Sequence, residues 1–135
     1  MMDLHKRRLL IVDDDADEVF FVENAFKGAS TPVEIRHAES GEAALAEIKS
    51  FNPGLILLDL NMPGMNGHDV LRAIKQDDEI CGLATVIFSS SERRADIDAC
   101  YRNSANAYVV KPRSSDGYRE LAENITRFWF ETARL

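Results

Sequence analysis

A chain of 135 residues has the length of one domain, enough to bury a core without disulfides or a structural metal. Its 16 Lys and Arg against 23 Asp and Glu leave a formal charge of −7, which argues against a nucleic-acid surface, since that needs a basic footprint. Cys81 and Cys100 have no metal-ligand spacing and read as reduced thiols. No signal-peptide core follows the basic start, and no apolar run reaches membrane-spanning length, so a cytoplasmic protein is expected.

The chain alternates apolar runs with helical spacing. Leu9-Leu10-Ile11-Val12 marks a first strand over about 8–13. Val19, Val22 and Phe26 recur at i, i+3 and i+7 and predict a helix over 16–27, stopped by Gly28. A second strand is expected over about 33–38. Ser40-Gly41 opens a second helix, in which Ala44, Leu45 and Ile48 keep helical spacing, and Asn52-Pro53-Gly54 is a turn. Leu55-Ile56-Leu57-Leu58 is an unbroken apolar run ending in Asp59 and then in the turn residues Asn61, Pro63, Gly64 and Gly67. Such a run reads as a strand buried on both faces. Val70, Leu71 and Ile74 place a third helix over about 67–76. A fourth strand follows over 85–89 and a fourth helix over about 92–102, with Asn103 expected to end it in a left-handed turn. The fifth strand covers 106–110, and a fifth helix is expected from Ser115 to about 134.

Strands alternating with helices predict an α/β domain, a parallel sheet covered by helices on both faces. Five repeats fit the flavodoxin-like doubly wound order 2-1-3-4-5 with five helices, whose switch point lies between strands one and three. The whole of 1–135 reads as one domain, its core over about 7–127. Ligands of open α/β sheets sit at the carboxyl edge of the strands. To that edge the strands deliver Asp13-Asp14-Asp15, Asp59, Ser89-Ser90-Ser91 and Lys111. Hard cations take carboxylate oxygens, and phosphoryl oxygens take cationic and hydroxyl donors. The set suits a divalent cation beside a phosphoryl group. Asp15 reads instead as the cap of the first helix.

Taken in order, Asp13-Asp14, Asp59 with the Met62-Pro63-Gly64 turn, Ser89, Tyr108 and Lys111-Pro112 resemble the receiver domains of two-component response regulators, over nearly the whole chain. The resemblance implies a phosphorelay protein rather than an enzyme. Asp59 would accept a phosphoryl group from a sensor histidine kinase. Mg²⁺ would be bound by Asp14 and Asp59, by Asp13 directly or through water, and by the backbone carbonyl of Asn61, relieving the crowding of like charges. Ser89 would act as the switch hydroxyl, with small Ser90 beside the phosphate and Ser91 at the position that tunes its lifetime. Lys111 would neutralise the phosphoryl group, and Tyr108 would swing inward. The bond before Pro112 is implied to be cis. The next residue, usually aromatic or apolar in the family, is Arg113 here, so docking through an apolar residue at that point does not carry over.

The short chain and its aromatic last helix also resemble single-domain regulators paired with bacterial phytochrome kinases, which makes a bacteriophytochrome the expected kinase. With no output domain in the chain, the signal is expected to pass by protein contact, through the face of helix four, strand five and helix five. Helix one faces the kinase in the family, so Phe20-Phe21 is a second candidate contact, with at least one ring expected in the core. An aspartyl phosphatase would carry Asp-x-Asp, but Asn61 stands where its second acid belongs. A degenerate receiver used only for binding would have lost Asp59, Asp14 or Lys111. On the last helix Leu121, Ala122 and Ile125 form a sheet-facing stripe. Phe128, Trp129 and Phe130 are consecutive, and residues about 100° apart cannot all face one sheet. Trp129 and Phe130 are therefore taken as the interface of a twofold homodimer.

Overall fold

The computed structural model describes residues 7–29, 31–133 and 135. Five parallel strands form one sheet: β1 (Arg8–Val12), β2 (Glu34–Ala38), β3 (Leu55–Leu58), β4 (Ala84–Ser89) and β5 (Ala107–Val110). Their order is β2-β1-β3-β4-β5, the doubly wound arrangement expected. The central strands are apolar throughout because both of their faces are covered. Leu10, Val12, Ile56, Leu58 and Ile87 point to one side, under α2 (Gly41–Phe51), α3 (Gly67–Gln76) and α4 (Arg94–Arg102). Leu9, Ile11, Leu55, Leu57 and Phe88 point to the other, under α1 (Ala16–Lys27) and α5 (Ser115–Ile125).

Local sequence sets the helix ends. The Asp15 carboxylate accepts the Asp17 N–H at 2.9 Å, so this third acid caps α1 as expected. Ser40 and Ser114 cap α2 and α5, and Asn66 with Asp69 forms a capping box on α3. α4 starts at Arg94, two residues later than expected, because Ser91 Oγ accepts the Arg93 N–H and keeps the preceding loop extended. The left-handed residue after α4 is Ser104 (φ 69°) rather than Asn103, whose φ is −90°. Among the described residues no peptide bond is cis, so the bond before Pro112 is trans, contrary to expectation. No helix among them is long and apolar enough to cross a membrane.

The last helix departs most from expectation. It is α-helical to Ile125 and π-helical over Thr126–Thr132. Carbonyls here are met five residues on: the Ala133 N–H reaches Phe128 O at 2.7 Å, and Thr132 Oγ1 reaches Arg127 O at 2.6 Å. A five-residue step puts Phe130 on the side of Ile125, where it is only 7% exposed and belongs to the core under α1 and α5. Trp129 is half-buried against the same core, and Phe128, 54% exposed, packs edge-on against it at 5.1 Å. One of the three rings is thus left out, as the spacing required. It is Phe128, however, and Phe130 is a core residue rather than an interface residue. Arg134, the expected helix end, and residues 1–6 lie outside the described residues.

Candidate functional site

The register of β1 against β3 pairs Val12 with Leu58, so the next residues, Asp13 and Asp59, emerge side by side. The Asp59 N–H donates to Val12 O at 2.9 Å and the Asp13 N–H to Ala38 O at 3.1 Å. Buried Leu60 and Met62 anchor the loop beyond Asp59 in the core. Gly67 brings the first turn of α3 against this loop, and a Cβ there would sit 2.2 Å from Asp59 O, so only glycine fits. β5 runs beside β4, and the Lys111 N–H donates to Ser89 O at 2.9 Å. From there Lys111 Nζ reaches Asp13 Oδ2 at 3.0 Å and Asp59 Oδ1 at 3.4 Å. Asp13 Oδ1 accepts the Asp15 N–H at 2.9 Å. Exposed Asp14 completes the acidic set: one carboxylate oxygen from each of Asp13, Asp14 and Asp59 lies within 4.8 Å of the others. That convergence fits a hard divalent cation, which gathers several oxygen ligands at short range. Asn61, Ser90 and Lys111 line the same open cavity of about 500 Å³.

Burial pushes the Asp59 carboxyl up to about 6. The Lys111 ammonium pulls against this, the Asp13 charge adds to it, and a hydrogen bond from the Asn61 backbone opposes it. Burial alone would lower Lys111. The hydrogen bond to Asp13 and the charges of Asp59, Asp13 and Glu18 outweigh that and hold its ammonium above the ordinary range. The site is a cation and two buried acids whose charges are incompletely balanced.

The response regulator receiver domain family model matches residues 9–123 of the chain. The chain belongs to that family. It is 31% identical to the response regulator Rcp1 of Synechocystis sp. over 134 residues, 94% of this chain and 91% of Rcp1. The crystal structure of Rcp1 in its Mn²⁺-bound form superposes with a TM-score of 0.84 at 30% identity, covering 95% of this chain and 97% of that one. The phosphorylated cyanobacterial phytochrome response regulator RcpA gives a TM-score of 0.87 at 28% identity, covering 95% of this chain and 96% of its own. Response regulator RPA3017, from red light signalling in R. palustris, gives 0.86 at 31% identity with the same coverage, 95% and 96%.

In this receiver Ser89 is fully buried at the end of β4, and its Oγ accepts the Ser91 N–H at 3.1 Å. The hydroxyl residue on the cavity wall is Ser90. Tyr108 lies inward against the core, its hydroxyl donating to Ser91 O at 2.9 Å and its N–H donating to the Tyr101 hydroxyl at 3.1 Å. Ser91 Oγ in turn donates to Asp96 Oδ2 at 2.6 Å. This bond, helped by Arg93, holds the Asp96 carboxyl below its ordinary range. Ser91 therefore joins the end of β4, α4 and β5. Trp129, half-buried on the last helix, and Arg113, exposed after Pro112, lie outside the acidic cavity.

Phe20 and Phe21 are both exposed, whereas at least one was expected in the core, because the inward stripe of α1 is Val19, Val22, Ala25 and Phe26. Phe21 rests on Tyr118, with ring centroids 5.6 Å apart. Two side chains near the site belong to no motif in the sequence. Tyr118 donates to Glu18 at 2.6 Å, and a ring nitrogen of His37 lies 2.8 Å from Asp13 O. His37 sits inside a strand pattern, and its only signal is a polar residue near the end of β2, the strand that flanks β1.

Proposed function

We propose that the chain is a phosphoryl-accepting response regulator in which Asp59 takes the group from the phosphohistidine of a sensor kinase. The observation that carries this reading is the convergence of three carboxylates and Lys111 on one open cavity at the sheet's switch point. A carboxylate oxygen of Asp59 attacks phosphorus as the N–P bond to the histidine breaks, and the imidazole leaves with its electron pair, giving an acyl phosphate. Asp14 and Asp59, with Asp13 and the Asn61 carbonyl, would hold Mg²⁺, which when bound supplies positive charge against the carboxylates and the phosphoryl oxygens. Lys111 moves from the acids toward the phosphoryl group as a point charge. The Ser89 hydroxyl, which accepts from the Ser91 N–H, keeps its own proton to donate. A shift of Ser89 is passed on through Ser91 to Tyr108 and Asp96, and so to β5 and α4.

The likeness to RcpA and RPA3017 supports a phytochrome-type histidine kinase as the donor. A cytoplasmic regulator that passes its signal by protein contact follows from the same reading. We extend it to a twofold homodimer through α5 and the π-helical segment, with Phe128 and Trp129 as the apolar contact. Incubation with phosphoramidate and Mg²⁺, read by intact mass, tests the acceptor. The wild type gains one phosphoryl group and Asp59→Asn gains none; labelling that survives the substitution rejects Asp59. Sedimentation tests the dimer. A wild type that remains monomeric at high micromolar concentration, with and without phosphorylation, rejects it.

A further inference from the structure

The Asp13 carbonyl stands one residue beyond the last ladder pair of β1 and β2, Val12 with Ala38. Beyond that pair β2 turns away, and Ser40 leaves to cap α2. Among the described residues the partner of this carbonyl is a side chain, His37, whose Nε2 lies 2.8 Å away. A carbonyl only accepts, so Nε2 carries the proton and donates. The other polar atoms of Asp13 are also engaged: its N–H by Ala38 O, Oδ1 by the Asp15 N–H and Oδ2 by Lys111. The carbonyl of Asp13 belongs to the planar peptide that leads into Asp14, so a bond that fixes the carbonyl also fixes where Asp14 departs from the strand. Asp14 is exposed, and among the described residues nothing bonds its carboxylate, yet an oxygen of it stands within 4.8 Å of those of Asp13 and Asp59. Its placement has to come from the backbone.

We propose that His37 is a positioning residue of the cation site, its Nε2–H clamping the Asp13–Asp14 peptide so that the Asp14 carboxylate converges with Asp13 and Asp59. The inference rests on the cation site proposed above, and His37 touches neither cation nor phosphoryl group. Groups that orient metal ligands from behind are worth about 10- to 100-fold in affinity, and a clamp acting through one peptide falls at the lower end.

The test is a Mg²⁺ titration of the full chain followed by amide NMR shifts, on wild type, Asp14→Ala, His37→Phe and His37→Gln. His37→Phe keeps the bulk of the ring without the donor and weakens binding about tenfold. His37→Gln restores an N–H within reach of the carbonyl and recovers most of that loss, which a role in filling space would not produce. If Asp14→Ala weakens binding and His37→Phe binds like wild type, the clamp is rejected while the cation site stands. If Asp14→Ala leaves the affinity unchanged, the cation site falls and the clamp with it. Imidazole ¹⁵N spectra of the wild type give a reading that needs no variant: a proton on Nε2 is expected, and a ring protonated only on Nδ1 overturns the proposal.

Discussion

At the carboxyl edge of the sheet the chain buries charge, and at the end of its last helix it exposes an aromatic ring. Asp13 is 2% exposed and Asp59 5%, although a carboxylate loses hydration on burial. Phe128 stays in solvent beside a core that has taken Phe130. Each region is partly compensated, in a different way. Lys111 stands between the two acids, yet the Asp59 carboxyl still sits at about 6. Phe128 has the edge of Trp129. One deficit is electrostatic and calls for a particular charge at a particular place. The other is apolar area, which many partners could cover. The first is where chemistry is expected and the second where association is.

Four substitutions test that contrast. Phe130→Ala should destabilise the fold by about 4 kcal/mol in urea unfolding, the cost of emptying a core aromatic site. A loss under about 1 kcal/mol would mean that the π-helical register is wrong. Gly67→Ala forces a Cβ onto the Asp59 carbonyl and should cost about 3 kcal/mol by the same measurement. That would separate the shape of the acidic loop from its charge. Asp59→Asn should act in the opposite direction. A carboxyl raised by folding holds its proton more tightly in the folded state than in the unfolded state between about pH 4 and pH 6. The metal-free fold therefore loses stability as pH rises through that window, by on the order of 3 kcal/mol at pH 7. Asp59→Asn removes the loss, so it should be more stable than wild type at pH 7 and no better at pH 4. Phe128→Ala should be nearly silent, within about 0.5 kcal/mol, while lowering any self-association seen by sedimentation.

Much of the acidic edge was legible in the residues because its logic is topological. Apolar runs become central strands, and whatever ends a central strand of a parallel sheet stands at the ligand edge, so Asp13, Asp59 and Lys111 had one place to go. Ser89 was legible in position but not in exposure: as the last residue of the central strand β4 it is fully buried, and its Oγ accepts the Ser91 N–H. The last helix was legible in its start at Ser115 and its inward stripe of Leu121, Ala122 and Ile125, but its end was not, for a different reason. A stripe counted at 3.6 residues per turn assumes an α-helix, and no local pattern announces the π-helical segment in which Phe130 joins the core shared with α1 and the sheet. The role of His37 is hidden in the sequence for a third reason. A hydrogen bond from a strand side chain to a neighbouring strand's carbonyl depends on register, which becomes definite only in three dimensions.

What sets this sheet edge apart is an Asp59 charge held uncomfortably until a cation meets it. The ¹³C carboxyl signal of Asp59, titrated from about pH 3 to pH 9 with and without Mg²⁺, measures this directly. A midpoint at about 6 is expected in the metal-free protein, with a clear downward move at saturating Mg²⁺. An ordinary carboxylate midpoint near 4 that Mg²⁺ leaves in place would contradict it.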